Sequence, residues 1–333
     1  MKGAQAILET LYGAGVDTLF ANPGTSEMAL VRAMDDAGTV RAVLALFEGV
    51  VSGAADGYAR MAGRPAATLL PLGPGLANAG ATLHNARRAR SPVVNIVGEH
   101  AREHIALDAP LTTDLEAVAR PFSRWVRTIS TTAQAGPDTA AAIEAARALA
   151  GPATLIVPAD VAWSEGGIPA RVPAAAAPTQ PEVQRLDLTA DWLRRAGPRA
   201  MLLLGGGALS ARGVAAAARL AAATGAPLAA DNFNVRMARG VGRPSLPKVP
   251  YVGAAAEAFL GDVKVLGLGE YRAPVNFYGS PGQRGTPVAA ATHVLTLAAP
   301  GEAGVEALEA LCAGLRAPVP AAPPAVARAA MPT

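Results

Sequence analysis

The feature that most constrains this chain is a repeated alternation of short apolar runs with stretches of helical periodicity. Up to about residue 158 the apolar runs fall at Thr18–Ala21, Ala42–Phe47, Ala67–Leu72, Val93–Val97 and Thr154–Val157. The helical stretches between them are Ser26–Asp36, Gly49–Met61, Leu76–Arg88 and Thr139–Leu149. Strands separated by helix-length segments pair in parallel, so this pattern predicts βαβ units. A second alternating region, with strands at Ala200–Leu204, Leu228–Ala230, Lys264–Leu268 and Val294–Leu297, predicts another such unit. The expected fold class is α/β, with two doubly wound parallel-sheet domains, the second Rossmann-like. Their expected bounds are 1–160 and 187–316, joined by a Pro-, Ala- and Gly-rich linker over 161–186 and followed by a disordered Ala/Pro tail over 317–333. A length of 333 residues suffices for two cores. The 51% hydrophobic content, with only 4% aromatic, suits helices packed on parallel strands.

Composition also narrows the function. Twenty-nine Lys and Arg against 26 Asp and Glu give a dispersed net charge of +3, which implies no nucleic-acid partner. The cluster Arg87, Arg88 and Arg90 reads as the solvated end of a helix whose C-terminal dipole favours cations. A single cysteine, Cys312, gives neither an internal disulfide nor metal-ligand spacing, and with no secretory signal the cytoplasm is the expected location. The longest uncharged run, between Arg64 and Arg87, is interrupted by Pro71, Pro74, Asn78 and several glycines, so no membrane span is expected.

The most informative segment is residues 45–60, where an apolar strand ends directly in Glu48 and a glycine-rich helix follows. Ligands of open α/β sheets sit at the carboxyl ends of strands, which puts Glu48 at the edge of a site. The alternative is a carboxylate attracted to a helix N-terminus. Small residues Gly49, Ser52, Gly53 and Ala54 would let a second helix or a ligand approach closely. Two further strand-end loops meet the same edge: Asn22-Pro23-Gly24-Thr25-Ser26, and Leu72-Gly73-Pro74-Gly75-Leu76-Ala77-Asn78. Each alone could be a plain turn capped by Thr25, Ser26 or Asn78.

Taken together these residues resemble the pyrimidine-binding domain of thiamine-diphosphate enzymes of the acetolactate synthase and benzoylformate decarboxylase type. In that family a strand-end Glu and a Gly-Tyr-Ala-Arg helix precede Gly-Pro-Gly and Asn. Here the matching residues are Glu48, Asp56-Gly57-Tyr58-Ala59-Arg60, Gly73-Pro74-Gly75 and Asn78. Gly205-Gly206-Gly207, the segment Asn234–Gly240 and Ala273–Phe277 look like the family's central domain.

The resemblance implies thiamine diphosphate as cofactor, its pyrimidine half bound here by Pro23, Gly24, Glu48, Gly73, Pro74, Gly75 and Asn78. It implies Glu48 as the catalytic carboxyl that activates the aminopyrimidine, and Asn22, Gly24 and Thr25 on the side of a small 2-keto acid substrate. Phe47 and Pro71 stand where many relatives carry His. Of His84, His100, His104 and His293, His100 ranks first because it follows a strand.

No residue of the chain is a metal ligand in this reading. The family's diphosphate-binding motif, which works through Mg²⁺, has no match, so Mg²⁺ would enter through a missing domain or a separate diphosphate-binding subunit. FAD, which some relatives hold in the central domain, stays open but is not favoured, because three glycines lack an acidic partner that would complete a dinucleotide signal. The expected entity is a homodimeric subunit or fragment of a 2-keto-acid decarboxylase or carboligase. The alternative is a non-catalytic relic or assembly subunit.

Overall fold

The computed structural model describes residues 1–319, and the chain divides into two compact units, Met1–Ala176 and a second beginning at Ala177. The first unit runs α1 (Gly3–Gly13), β1 (Thr18–Ala21), α2 (Met28–Ala37), β2 (Arg41–Leu44), α3 (Glu48–Ala62), β3 (Ala66–Pro71) and α4 (Leu72–Ala89). It continues through β4 (Val93–Glu99), α5 (Arg102–Ile105), α6 (Leu115–Ala119), β5 (Trp125–Thr128), α7 (Ala135–Ala148), β6 (Pro152–Pro158) and α8 (Ala159–Trp163). The second unit runs α9 (Val183–Ala196), β7 (Ala200–Leu204), α10 (Ala211–Thr224), β8 (Leu228–Ala230), α11 (Gly253–Leu260), β9 (Val265–Gly269), β10 (His293–Ala298) and α12 (Gly304–Gly314).

All strands pair in parallel, in the orders β2-β1-β3-β4-β6-β5 and β10-β9-β7-β8. The two-domain α/β expectation is thereby met. In the first unit, α1, α2, α7 and α8 cover one face of the sheet through Ile7, Leu11, Leu30, Ile143 and Val161. Helices α3, α4 and α6 cover the other face, burying Val51, Leu76, Leu83 and Leu115. With both faces covered, β4 and β6 are buried at every residue, which is why they read as unbroken apolar runs. In the second unit α9, α10 and α12 pack on one face and α11 on the other.

Three sequence expectations need correction. The Gly-Pro-Gly segment is not a strand-end loop: α4 starts at Leu72, directly after β3. The abrupt turn is taken by Leu72 itself, a buried non-glycine residue at φ 43°. Strand β5 was unrecognised because Trp125–Thr128 is a half-exposed edge strand with a charge in it, and its pairing with β6 defines it. The expected linker over 161–186 is not a free connector at either end, since Val161 and Ala162 are buried in the first core and α9 starts at Val183. Of the tail expected over 317–333, Ala317 packs in the second core and residues 320–333 lie outside the described ones. Among the described residues no helix is long and apolar enough to cross a membrane.

Candidate functional site

In the first sheet the chain steps from β1 to β2 in one direction and from β3 onward in the other, so the topological switch point lies between β1 and β3. Crevices outside the carboxyl ends of strands at such a point are where open α/β sheets bind ligands. Residues 22–25 leave β1 there, residues 71–78 leave β3, and residues 45–48 follow the neighbouring β2.

Glu48 is the first residue of α3 and is buried, at 9% exposure, although its neighbours Phe47 and Val50 are 49% and 57% exposed. These two apolar residues therefore do not wall in the carboxyl as their sequence proximity suggests. What holds it is α4: Asn78 Nδ2 donates to Glu48 Oε2 at 3.0 Å. The two helices approach closely because α3 presents small residues to α4. Ser52 Oγ donates to the Glu48 carbonyl at 2.9 Å and hydrogen-bonds Thr82 of α4, and a Cβ on Gly53 would sit in ordinary contact with Thr82. The small-residue face thus serves a helix, and that helix places Asn78 against Glu48.

The Gly-Pro-Gly turn of α4 is shaped by its neighbours. A Cβ on Gly75 would stand 2.3 Å from the Pro71 ring and 3.3 Å from Glu48 Oε1, so only glycine keeps this space open. Gly73 is buried under Thr113, which a Cβ would meet at 2.3 Å, whereas Pro74 and Asn78 are exposed. On the β1 side, Asn22 Nδ2 donates to the Ala45 carbonyl at 2.8 Å, tying the ends of β1 and β2 together. Pro23 and Gly24 are partly buried and Thr25 is exposed.

Glu27 carries the most perturbed carboxyl of this region. It is fully buried, Oε2 accepts from Gly24 N at 2.7 Å, and Oε1 has no hydrogen-bond partner among the described residues. Burial pushes its pKa up to about 7 against the opposing pull of the Gly24 amide. Residues 1–118 match the family described as thiamine pyrophosphate enzyme, N-terminal TPP binding domain. Residues 1–118 of the first unit are thus similar to a thiamine pyrophosphate enzyme N-terminal domain.

Individual proteins are similar to this chain as well. A Mycobacterium tuberculosis protein provisionally named acetolactate synthase large subunit IlvX is 48% identical over 316 residues, 93% of this chain and 60% of its own length. Benzoylformate decarboxylase of Pseudomonas aeruginosa is 35% identical over 36% of this chain and 22% of its own. The solved thiamine diphosphate-dependent 4-hydroxybenzoylformate decarboxylase of Rhodococcus jostii RHA1 superposes with a TM-score of 0.81, covering 98% of this chain and 64% of that one. At 23% identity, this last likeness speaks for the fold. The chain therefore spans about three-fifths of the length of the Mycobacterium tuberculosis and Rhodococcus proteins.

Within the first unit, Glu48, Gly75 and Asn78 are brought together, and Gly24 joins them across Pro71, whose Cβ would lie 3.3 Å from a Cβ on Gly24. Asn22 is committed to a backbone carbonyl, and Thr25 is exposed. His100 does follow β4, and its Nε2 is buried without a partner among the described residues. His293 instead stacks on Trp192 in the second unit, ring centroids 4.4 Å apart. Sequence reading missed Glu27. Its signal was present as a carboxylate three residues after Gly24, in the position where it reaches back to the Gly24 amide.

The motif Asp56-Gly57-Tyr58-Ala59-Arg60 proves to be an anchor for α3. Arg60 Nε donates to Asp56 Oδ1 at 2.8 Å, and Asp56 accepts from Ser91 just before β4. Tyr58 packs edge-on against Phe20 of β1, and its hydroxyl accepts from Arg64 at 2.7 Å. These contacts fix α3 on the sheet, and with it the position of Glu48.

Proposed function

We propose that the first unit holds the aminopyrimidine half of thiamine diphosphate at the β1/β3 switch point, in a subunit or part of a 2-keto-acid decarboxylase or carboligase. The observation that carries this reading is the buried Glu48 carboxylate, fixed through one oxygen by Asn78, with glycine at position 75 keeping the space beside the other oxygen open. When bound, thiamine diphosphate supplies the carbon nucleophile and the electron sink for this class of reaction.

The chain's own contribution is to hold and orient a proton. Glu48 would share its proton with a ring nitrogen of the pyrimidine, and Asn78 would keep the carboxyl from rotating away. Gly73, Pro74, Gly75, Pro23 and Gly24 would border the ring, while Asn22, Gly24 and Thr25 would lie toward the keto acid. The diphosphate and Mg²⁺ would be held by a further segment or subunit, consistent with the share of the relatives that this chain spans.

A second copy of the chain fits the surroundings of Glu48. Leu44, Leu46, Phe47 and Val50 are 70%, 94%, 49% and 57% exposed around a buried carboxylate, an apolar rim that a homodimer would cover. The test is calorimetric titration of the purified chain with thiamine diphosphate and Mg²⁺, alongside Glu48→Gln. Saturable binding that weakens at least tenfold in the variant supports the reading. Absence of binding, or equal binding by both proteins, removes it and leaves a non-catalytic assembly subunit as the better account.

A further inference from the structure

The three glycines after β7 are placed as a phosphate-binding turn would be. In the order β10-β9-β7-β8 the switch point of the second sheet lies between β7 and β9, and Gly205, Gly206 and Gly207 leave β7 there. The loop that leaves β9 at the same edge begins with Glu270, the residue following Gly269.

Glu270 turns back into the glycine loop. Its Oε2 accepts from Ala208 N at 3.1 Å. A Cβ on Gly206 would lie 2.5 Å from Glu270 Oε1, and Cβ atoms on Gly207 and Gly304 would each lie 2.9 Å from Oε2. Three glycines from two segments far apart in sequence therefore leave the volume that this one carboxylate fills.

Two backbone features hold it in place. Gly205 N donates to the Gly269 carbonyl at 2.9 Å, which joins the two strand ends, and Glu270 N donates to the Ala298 carbonyl at 2.8 Å at the end of β10. Glu270 itself sits at φ 55°, in the left-handed region that a non-glycine residue enters only under constraint. The chain accepts this strained backbone at the residue whose side chain enters the loop.

We infer that Glu270 is the built-in occupant of a latent phosphate cradle, and that its carboxylate excludes nucleotide diphosphates from the switch point of the second unit. The glycines exist to admit a side chain of the protein. A phosphate group brought to the loop would meet a carboxylate of like charge lodged where its oxygens would need to go, and the Ala208 amide is already engaged. FAD and other dinucleotides are thereby shut out by an internal group rather than by the lack of a glycine turn.

The experiment is titration of the full chain with ADP, followed by calorimetry, for wild type, Glu270→Gly and Glu270→Gln. Glycine is at home at φ 55°, so Glu270→Gly empties the cradle while relaxing the backbone. Glu270→Gln keeps the cradle filled without the charge. Wild type and Glu270→Gln are expected to show no saturable binding at 1 mM ADP or below (about −4 kcal/mol of binding free energy), and Glu270→Gly is expected to bind at least tenfold more tightly than either. That gain should persist with thiamine diphosphate present in excess, which separates it from the site of the first unit. Saturable ADP binding by wild type, or none by a folded Glu270→Gly, overturns the inference. Circular dichroism checks folding, and if Glu270→Gly does not fold, Glu270→Ser is read by the same criteria.

Discussion

Glu27 is sealed from water with one oxygen on the Gly24 amide and the other against the backbone at Gly98. Its carboxyl, at 4.5 in an unperturbed chain, is pushed to about 7 by burial. That rise corresponds to roughly 3 kcal/mol against the ionised form. Between about pH 4.5 and 7 the native chain holds a proton that the unfolded chain has lost. The contribution to stability is therefore fully present below about pH 4.5 and fades as pH rises through about 7. Thermal melts at several pH values should show stability falling across this window, and Glu27→Gln should flatten the fall. Parallel slopes for the two proteins would rule this role out.

Gly98 gives a second residue-scale prediction, since a Cβ there would stand 1.6 Å from Glu27 Oε1. Gly98→Ala should cost about 1–3 kcal/mol by overpacking. In a Glu27→Ala background the same change should cost much less, and a double-mutant cycle by chemical denaturation measures the coupling. Additive effects would mean that the two residues do not compete for this space.

Across elements, a polar ladder crosses the middle of the first sheet. Thr68, Asn95 and Thr154 stand side by side in register on β3, β4 and β6, all fully buried. Thr68 Oγ1 donates to Asn95 Oδ1 at 3.0 Å, Asn95 Nδ2 donates to Thr154 Oγ1 at 3.1 Å, and Thr154 reaches Ser123 at 2.7 Å. Register is strongly specified when a one-residue slip would strand these groups. Asn95→Ala leaves both threonines short of a partner and should destabilise the first unit by about 1–3 kcal/mol. Denaturant unfolding measures this, and a loss below 0.5 kcal/mol, roughly the scale of surface substitutions, would show that the ladder is dispensable. In sequence these residues were only the polar members of apolar runs. Pairing between strands separated by 27 and 59 residues makes them a unit.

At the scale of the molecule, each unit has its own core and its own parallel sheet. The run Ala174–Ala177 is exposed and carries no regular structure. Limited digestion with elastase, which cleaves beside small residues, should cut there first and release two fragments that resist further cleavage. Early cuts inside either sheet would contradict this division.

What the sequence determined alone is what depends on neighbours along the chain. Periodicity placed β1, β7 and β8 to the residue and the other strands except β5, with α2, α3, α4 and α7, to within a few, because a strand or helix buried on a sheet must repeat its apolar residues at the matching period, whereas the helices of the second unit were not placed. Glu48 stood out through the motifs around it, Gly73-Pro74-Gly75 and Asn78, because a carboxylate after an apolar strand taken alone is equally well explained by attraction to a helix N-terminus. The contacts that define both switch points were decided only by the tertiary structure. Asn78 meets Glu48 because α3 and α4 pack through small residues, and Glu27 loses its water because Gly98 of another strand backs onto it. Glu270 fills the glycine loop because parallel pairing of β7 with β9 brings residues 205 and 269 together. Local sequence sets the conformation of a segment, whereas the burial of a charge depends on which distant backbone comes to lie against it, and strand order determines that.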